Sequence, residues 1–461
     1  MNKDQYLAHP DVRRRMREFL GAPNEQHKAT AHRICTCDVP SRMLETGCPP
    51  DQLDTCLGEA PDLARSLSDT QNLLLHLDIE YVNFDDPTFP FRDPHAVFAR
   101  QQPLVEATLG ILHELGIYPL HVLSGRGHHF VWQVRKDGKS FEQLVKMSLP
   151  GERLDAHYET VLPPRGPISR EEGRAFGSLG RVMEYVVHRI YARSVPHLDV
   201  PVMVTDVRVG PGVRGQREII SLDTSEYGDP LDSRKIRVPY SLYRKPYLRY
   251  GLEESLEFPP TVFLPCEQLG IHESIAVMHD LDAACEHAGT HRAIIPTQEA
   301  ATINLIRSYQ HSSLADVHAA YYSVDPEPPE RWQETYDQLD PDSLPPCTAN
   351  LLRQPNDRLL QPTGMRHLLA NLLARGWHPR HVAGLLRSKF ERGDWGDIWT
   401  GYHPGFRADF YIRSFYGMWH NRLDEQIDFN CRSAQERWLC PGVGGCSLKN
   451  DFEALSLRRT Q

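Results

Sequence analysis

The sequence predicts an α+β or α/β core, with mixed sheets and flanking helices, followed by a mainly α-helical region. Residues 73–84 are almost continuously apolar with no helix cap before them, which is typical of a buried strand. Residues 95–116 carry apolar side chains at helical spacing and end at a glycine, which predicts a helix. The helical pattern of residues 347–422 predicts that the second part of the chain is mainly α-helical.

Further elements of the core follow the same mixed pattern. Residues 119–134 predict a strand, a glycine turn and a second strand. Strand patterns at 200–209 and 217–223 are separated by the turn sequence GPGVRG. Residues 270–322 are mainly helical in pattern. Together these segments predict sheets that are covered by helices.

The acidic, proline-rich segment 324–346 is the best candidate for a linker, because proline is excluded from helix interiors and central strands. We therefore expect five segments along the chain: an N-terminal cysteine-bearing extension (1–65), the α/β core (66–260), a helical connector (261–323), the linker (324–346) and a C-terminal helical domain (347–461).

Composition narrows the class of protein. The 461 residues include 51 Lys and Arg against 61 Asp and Glu, a net charge of −10, which argues against a generally basic nucleic-acid binder but leaves room for a local basic groove. No apolar run reaches the roughly 18–20 residues that span a bilayer. The first twenty residues lack the pattern of a secretory signal. We expect a cytoplasmic chain whose ten cysteines are reduced thiols or metal ligands.

Asp78 and Glu80 lie two positions apart on the strand predicted at 73–84, so their side chains point to the same face. Two neighbouring carboxylates repel each other unless a cation or a proton lies between them. A divalent ion such as Mg²⁺ fits, because it binds one or two carboxylates together with substrate phosphates. The alternative is a solvated strand end with two exposed acids.

A glycine-rich turn joins the two strands predicted within 119–134. Its glycines allow close approach of a ligand, and its amides can bind anions. Ser124 adds a hydroxyl, Arg126 a guanidinium and His129 an imidazole, a set that suits a triphosphate. The alternative is a glycine-rich hairpin with incidental histidines.

The cysteines form two groups along the chain. The four C-terminal ones could bind zinc or a 4Fe–4S cluster, or could be small core residues. For the four N-terminal cysteines we expect simple thiols rather than a zinc site, because their spacing matches no familiar zinc-binding pattern. Cys266 and Cys285 are expected to be structural. The two groups are Cys347, Cys431, Cys440 and Cys446, and Cys35, Cys37, Cys48 and Cys56.

The order of the acidic pair, the glycine turn and a later basic segment resembles the catalytic small subunit of the archaeo-eukaryotic primase superfamily. Asp78 and Glu80 resemble its first motif, and the SGRGHH turn is similar to its second but one residue shorter. The segment RKIRVPYSLYRKP, which contains Arg237, resembles the segment after the third acid, with Tyr243 where the family usually has His. The resemblance covers roughly residues 70–250.

The resemblance implies roles for individual residues. Asp78, Glu80 and a third acid would hold two divalent metals. Asp223, at the end of a strand pattern, is the preferred third acid, with Asp206 and Asp199 as alternatives. The nucleotide would be bound by Ser124, Arg126, Gly127, His129, Arg237 and Tyr243.

Residues 345–450 are similar to the iron–sulfur domain of the primase large subunit, in which four widely spaced cysteines hold a 4Fe–4S cluster. That similarity implies a cluster at the four C-terminal cysteines and nucleic-acid contacts at Arg366, Tyr411 and Arg413. Residues 347–392 carry eight Lys or Arg against two acids, a local charge of +6, which favours binding of a phosphate backbone.

The two similarities together imply a single-chain primase or primase-polymerase: a DNA-directed nucleotidyltransferase that uses Mg²⁺ or Mn²⁺. Its partners would be single-stranded DNA, nucleoside triphosphates and a replicative helicase or polymerase, with no membrane. It would lie in the cytoplasm, at the nucleoid or at a replicating element. Three alternatives remain: a related polymerase that extends existing primers, a non-catalytic nucleic-acid-binding metal-cluster protein, and a metal-dependent nuclease.

Overall fold

The fold is known from a computed structural model. It describes residues 1–24, 26–36, 47–59, 61–149, 152–160, 168–205, 207–255, 257–267, 269–396, 403–424, 431–436, 439–440 and 446. Within these residues the architecture is mixed α/β, with two sheets and many helices. No helix in these ranges is long and apolar enough to cross a membrane.

The strands of the described ranges, in chain order, are β1 (Ile34–Thr36), β2 (Leu63–Ser66), β3 (Asn72–Asn83), β4 (Leu120–Ser124), β5 (Gly127–Arg135), β6 (Val202–Met203), β7 (Glu218–Asp223), β8 (Lys235–Arg237) and β9 (Leu264–Pro265). The larger sheet has the order β6-β7-β3-β5-β4-β9 and is antiparallel except for the pair of β6 and β7. The smaller sheet, β1-β2-β8, is antiparallel throughout.

The α-helices of the described ranges are α1 (Lys3–Ala8), α2 (Pro10–Phe19), α3 (Leu53–Glu59), α4 (Phe89–Arg92), α5 (Pro94–Glu114), α6 (Lys139–Lys146), α7 (Glu152–Thr160), α8 (Arg170–Ser194), α9 (Lys245–Tyr250), α10 (Ile271–Met278), α11 (Leu281–Thr290), α12 (Glu299–Gln310), α13 (Ser313–Tyr322), α14 (Pro346–Arg353), α15 (Pro362–Ala374), α16 (Pro379–Phe390), α17 (Gly393–Gly396), α18 (Pro404–His420) and α19 (Cys431–Glu436).

The first predicted elements of the core are confirmed. The strand predicted at 73–84 is β3, the helix predicted at 95–116 is α5, and the strand, turn and strand predicted at 119–134 are β4 and β5. The start of α5 follows from its sequence. Asp93 caps the helix by accepting a hydrogen bond from the amide of Ala96, and Pro94 occupies the first turn, where no amide donor is needed.

Two elements differ from the sequence expectations. The strand pattern at 200–209 forms only the two-residue β6, because the chain then turns on itself with a hydrogen bond from the Val207 amide to the Thr205 carbonyl. The 25-residue helix α8 was not expected. It begins with a capping box formed by Ser169 and Glu172, and most of its residues are buried.

The proline-rich segment 324–346 packs against neighbouring helices. It contains three short 3-10 helices and buries the side chains of Trp332 and Tyr336. Its acids also pair with basic residues of the C-terminal helices: Asp337 lies 2.7 Å from Arg392, and Asp342 pairs with Arg353. The segment is therefore irregular, as its prolines predict, yet held by aromatic burial and charge.

One hydrophobic core joins the parts of the chain. It includes Tyr6 near the N-terminus, Leu77 in the larger sheet, Leu305 in α12 and Phe415 in α18. The division into five domains stays a prediction, while the core places the C-terminal helices directly against the α/β part.

Candidate active site

The register of the larger sheet brings three acidic positions together at its centre. Asp78 of β3 lies directly opposite Asp223 of β7 on one side and His129 of β5 on the other. Residues directly opposite each other on neighbouring strands share a face, so these three side chains point the same way. Glu80, two positions along β3, joins them on that face.

The turn between β4 and β5 can approach β3 closely because its glycines lack side chains. A Cβ atom at Gly127 would lie 1.8 Å from the carbonyl oxygen of Ile79, and one at Gly125 would lie 2.5 Å from the ring of Tyr243. Glycine is the one residue that leaves room for this backbone packing. The turn thus places Ser124 and His129 beside the acids.

These side chains line a cleft of about 340 Å³, here called the acidic cleft, which lies between the two sheets. One wall consists of β3, β5 and β7 of the larger sheet. The other includes the three residues of β8, in the smaller sheet, together with Tyr243, Lys245 and Phe263. The cleft contains acids on one side and several basic residues on the other.

The acids of the cleft are poorly compensated. Burial, followed by the charges of Glu80 and Asp223, raises the pKa of Asp78 well above its usual value. Burial and the neighbouring Glu226 raise the pKa of Asp223 to about 6, and burial raises that of Glu226 to about 8. Like charges held together in a buried place favour a proton or a cation between them.

Glu80 is the exception among these acids. Burial alone would raise its pKa, but the guanidinium of Arg126, Lys245 and the other favourable groups around the carboxylate together outweigh burial and lower the pKa to about 2. Arg126 donates a hydrogen bond to the Glu80 carboxylate. The predicted turn arginine therefore contacts the predicted acid directly, and Glu80 is ionised where Asp78 favours its neutral form.

A line of hydrogen-bonding groups supports His129 from behind. The Nδ1 atom of His129 lies 2.8 Å from Nε2 of His76, whose own Nδ1 lies 3.1 Å from the Glu226 carboxylate. Burial lowers the pKa of His76 to about 4 and, with His76, that of His129 to about 3, so both rings are neutral at pH 7. The Nδ1 atom of His129 also lies 3.7 Å from Asp78.

The basic wall is held in place by acids and aromatic rings. The Arg237 guanidinium pairs with the buried Asp62 and lies 5.8 Å from the ring centres of Tyr243 and Phe263. Arg234 donates a hydrogen bond of 2.8 Å to the Ser225 hydroxyl. Both arginines, together with Lys245, line the cleft opposite the acids.

Two buried polar atoms in the cleft have no hydrogen-bond partner among the described residues: Oδ1 of Asp78 and Oγ of Ser124. Such atoms are costly to bury unless a ligand completes them. In the described part of the chain, no group of three or more His, Cys or acidic side chains is arranged closely enough to hold a metal ion as it stands. The donor type fits a hard divalent cation, since carboxylate oxygens are what Mg²⁺ and Mn²⁺ prefer.

The structure separates the three candidates for the third acid. Asp223 lies opposite Asp78 in the sheet. The side chain of Asp199 is 58% exposed and pairs with Arg214. Asp206 lies outside the described residues. Of the two candidates whose position is described, Asp223 is the one that lies beside the acidic pair on β3.

Sequence reasoning missed five titratable residues of the cleft: His76, Glu226, Arg234, Lys235 and Lys245. His76 carried a usable signal, because it lies two positions before Asp78 on the same strand face. Lys245 and Arg234 belong to the basic segment already singled out. Glu226 carried none, since a short 3-10 helix, Ser225–Gly228, brings it back towards His76.

The C-terminal cysteines are drawn together in part. Burial, with smaller contributions from the nearby thiols of Cys446 and Cys440, raises the pKa of Cys347 to about 11. The amide of Asn350, in the same helix as Cys347, donates a hydrogen bond of 3.2 Å to the Leu439 carbonyl. The side chain of Cys431 lies outside the described residues. Neighbouring thiols are the type of ligand that binds zinc or an iron–sulfur cluster.

The other predicted site residues of the C-terminal region are buried. Arg366, Tyr411 and Arg413 are each no more than 5% exposed. Arg413 pairs inside the protein with Glu184. Their burial does not favour the direct nucleic-acid contacts predicted for them, which need an accessible side chain.

The N-terminal cysteines do not present four thiolates together. Cys48 and Cys56 are joined as a disulfide, Cys35 is buried, and Cys37 lies outside the described residues. A zinc ion there stays a prediction, and sulfurs in a disulfide are not available as thiolate ligands. Cys266 and Cys285 are buried free thiols, consistent with structural roles.

Comparison with protein-family models, with characterised proteins and with solved structures gave no match.

Proposed function

We propose that this chain makes primers on single-stranded DNA by nucleotidyl transfer, as a single-chain primase or primase-polymerase with a primase-type core. The observation that carries the proposal is the composition of the acidic cleft. Asp78 and Asp223 lie opposite each other on the paired strands β3 and β7. Arg237 and Lys245 line the opposite wall. Acids for a metal and cations for a triphosphate thus meet in one cleft.

The acids are suited to hold divalent cations. Asp78, Glu80 and Asp223 would be the ligands of Mg²⁺ or Mn²⁺. Burial, together with neighbouring carboxylates, raises the pKa values of Asp78 and Asp223, and Oδ1 of Asp78 has no hydrogen-bond partner among the described residues. Bound divalent cations would supply the charge that activates a 3′-hydroxyl and stabilises the pyrophosphate leaving group.

The remaining residues bind and orient the triphosphate. The Ser124 hydroxyl, buried with no partner among the described residues, is available to donate to a phosphate oxygen. Arg237, fixed by Asp62 and by the rings around it, neutralises phosphate charge without losing much side-chain freedom on binding. His129 contributes a neutral ring whose orientation is fixed by His76.

The C-terminal region has a second role in the proposal. Cys347, Cys431, Cys440 and Cys446 would hold a 4Fe–4S cluster. When bound, that cluster would tie α14 to the last cysteines of the chain. The domain would then hold the template and the first nucleotide, so that two nucleotides meet without a primer. The proposal places the protein in the cytoplasm, at the nucleoid or a replicating element, with a helicase or polymerase as partner.

The test is an assay of primer synthesis and primer extension on single-stranded DNA with Mg²⁺ or Mn²⁺, using protein purified without oxygen. We expect Asp223→Asn to abolish both activities, because it removes a cleft carboxylate with little change of shape. Asp199→Asn is the matched control and should keep both, since Asp199 is largely exposed and paired with Arg214. Full activity of the Asp223 variant would refute the proposal.

A second variant addresses the C-terminal cysteines. Cys431→Ala should impair initiation more than extension of a supplied primer, and iron and sulfide analysis should find a cluster that the variant lacks. Extension without initiation in the unaltered protein would favour the primer-extending polymerase instead. Nucleic-acid binding with no incorporation under any condition would favour the non-catalytic alternative.

A further inference from the structure

The two acids of β3 have different partners in the acidic cleft. Glu80 forms an ion pair with the Arg126 guanidinium, which donates a hydrogen bond to its carboxylate. Among the described residues, Asp78 and Asp223 have no ion pair with a lysine or arginine. Arg126 therefore already gives Glu80 the positive charge that the other two acids would take from a cation. A free divalent ion that enters the cleft finds two carboxylates available and the third in use.

The same ion pair holds Arg126 away from the position expected for it. The other side chains expected to bind the nucleotide line the cleft: Ser124, His129, Arg237 and Tyr243. All residues of the expected set lie in the described ranges, and Arg126 is the one side chain of that set that does not line the cleft. Its guanidinium contacts Glu80 instead. As long as this contact lasts, neither Arg126 nor Glu80 can serve its expected ligand.

The contact can be exchanged by movement of side chains alone. The Arg126 carbonyl accepts hydrogen bonds from the Tyr81 amide at 3.1 Å and from the side-chain amide of Gln101 at 3.0 Å, so the backbone of the turn is fixed beside β3. The Arg126 side chain is 14% exposed and that of Glu80 is 22% exposed. Water therefore reaches the pair, and the guanidinium can rotate away from Glu80 while the turn stays in place.

A polyphosphate is the kind of ligand that can take Arg126 from Glu80. Guanidinium groups bind phosphate with paired, charge-assisted hydrogen bonds. Glu80, once released, shares a strand face with Asp78 and can join it as a ligand of a divalent cation. In this exchange every charge keeps a partner. A divalent ion without phosphate would leave the Arg126 charge without its carboxylate and beside a second cation, which is unfavourable.

We propose that Arg126 makes the acidic cleft selective for a divalent cation that arrives with a polyphosphate. Arg126 holds Glu80 in an ion pair, and it moves to the phosphate when Glu80 binds the metal. A free ion is held by Asp78 and Asp223 alone. The inference rests on the proposed function for the identity of the two ligands, and it adds the residue that decides when the third carboxylate becomes available.

The experiment measures binding to the full chain by titration calorimetry. The probes are Mn²⁺ alone and a preformed complex of Mn²⁺ with an ATP analogue whose α,β-bridging oxygen is replaced by methylene, so that no nucleotide is transferred. Arg126→Gln should raise the affinity for Mn²⁺ alone about tenfold, because it releases Glu80 from a charge-assisted hydrogen bond. Unchanged affinity of this variant for Mn²⁺ alone overturns the proposal.

A matched control separates the ion pair from a general effect of charge. Lys245 lines the same cleft and is the next cation after Arg126 in its electrostatic effect on Glu80, but it forms no ion pair with that residue. Lys245→Gln removes the same charge and should raise the affinity for Mn²⁺ alone by no more than about threefold. Equal rises in the two variants would show that the contact between Arg126 and Glu80 has no special role, and would overturn the proposal.

The double variant Glu80→Gln, Arg126→Gln removes both members of the pair and leaves the net charge of the cleft unchanged. It should bind Mn²⁺ alone within about twofold of the unaltered protein, and the complex with the analogue at least about tenfold more weakly. A tenfold loss for Mn²⁺ alone would show that Glu80 binds the metal in spite of Arg126. Equal affinity of both proteins for the complex would show that neither residue contributes. Either result overturns the proposal.

A measurement on the unaltered protein keeps the test decisive if a variant does not fold. Anomalous scattering from crystals with Mn²⁺ alone and with Mn²⁺ and the analogue locates the ion. We expect a bond from Mn²⁺ to Glu80, and Arg126 against the phosphates, only when the analogue is present. A bond to Glu80 without the analogue, or Arg126 still on Glu80 with the analogue bound, overturns the proposal.

Primer synthesis is assayed separately, so that the two proposals can fail independently. Binding as expected without primer synthesis under any condition would overturn the proposed function and support this inference. Primer synthesis together with unchanged affinity of Arg126→Gln for Mn²⁺ alone would overturn this inference and not the proposed function. No binding of Mn²⁺, with or without the analogue, overturns both.

Discussion

Two regions of the molecule bury carboxylates, and they treat them in opposite ways. In the helical region, Glu184 of α8 is fully buried and pairs with the Arg413 guanidinium and with Nε2 of His318 at 3.0 Å. Burial would raise its pKa, but Arg413 and His318 outweigh burial and lower it to about 2. In the acidic cleft, the pKa values of Asp78 and Asp223 are raised instead.

The difference is between an acid that the chain pairs with cations and acids that it buries beside other acids. A carboxylate whose task is to hold the fold is given its partners by the chain, because an unpaired buried charge is costly. Among the described residues, Asp78 and Asp223 have no Lys or Arg ion-pair partner, which is expected if a ligand supplies the missing charge. The contrast is consistent with a cation at the cleft, and it can be tested variant by variant.

The largest expected effect is on activity. Asp78→Asn should lower primer synthesis and extension by roughly a thousandfold or more, as removal of a group that acts in the transition state does. The free energy of unfolding should stay equal or rise, because the variant removes a buried carboxyl group whose ionised form is disfavoured by burial and by the neighbouring acids. Assays of nucleotide incorporation and urea unfolding measure the two quantities. A variant that unfolds, or that retains most of its activity, would contradict the prediction that Asp78 serves activity rather than stability.

The next largest effect is on stability in the helical region. Glu184→Gln should lower the free energy of unfolding by about 3 kcal/mol, because it removes the buried carboxylate that pairs with Arg413 and leaves Arg413 only the more distant Asp409, at 3.6 Å. The control Glu171→Gln is exposed on the same helix and should change it by no more than about 0.5 kcal/mol. Urea denaturation compares them. If the two variants are equally stable, the Glu184 pair does not hold the fold.

A third effect depends on pH. The pKa of Glu226 is about 8 in the folded protein, above the usual value for glutamate. The folded state therefore holds this proton more tightly, and the protein loses stability as pH rises from about 4.5 to 8. Compared with Glu226→Gln, the unaltered protein should lose up to roughly 1.4 kcal/mol of unfolding free energy per pH unit in this window. Urea unfolding at several pH values, with chelator present, measures the difference. A difference that does not change with pH would contradict the raised pKa.

The smallest effect is stabilisation by metal. Mg²⁺ or Mn²⁺ at about ten times its dissociation constant should stabilise the unaltered protein by about 1.4 kcal/mol, which for a chain of this length raises Tm by about 1.5 °C. The double variant Asp78→Asn, Asp223→Asn should show no rise. Thermal unfolding with and without the ion gives the comparison, and an equal rise in both proteins would show that the ion binds elsewhere.

The arrangement along β3 could be predicted from local sequence. Side chains alternate between the two faces of a strand, so Asp78 and Glu80 had to share a face once the strand was recognised. The glycine turn was also predictable locally, because glycines between two strand patterns indicate a tight turn. The structure adds that a Cβ atom at Gly127 would clash with the carbonyl oxygen of Ile79. The helix α5 followed from the helical spacing of its apolar residues and from the glycine at its end.

Other features depended on contacts between distant segments. Asp223 lies beside Asp78 because β7 pairs with β3 in one register. Nothing in the sequence near residue 223 indicates that β3 is the strand with which β7 pairs. Arg237 enters the cleft from a different sheet, fixed there by Asp62. Glu226 reaches His76 only through the turn after β7.

The same is true of the basic C-terminal residues. The positive charge of 347–392 was evident in the sequence, but its use was not. Packing turns Arg413 inward to Glu184 and brings Arg380 and Arg387 towards α8, where they line a pocket. The types of residue and their local periodicity thus come from the sequence alone. Which charges are paired and which are left for a ligand was decided by tertiary packing, because electrostatic energy depends on distance and burial rather than on position in the chain.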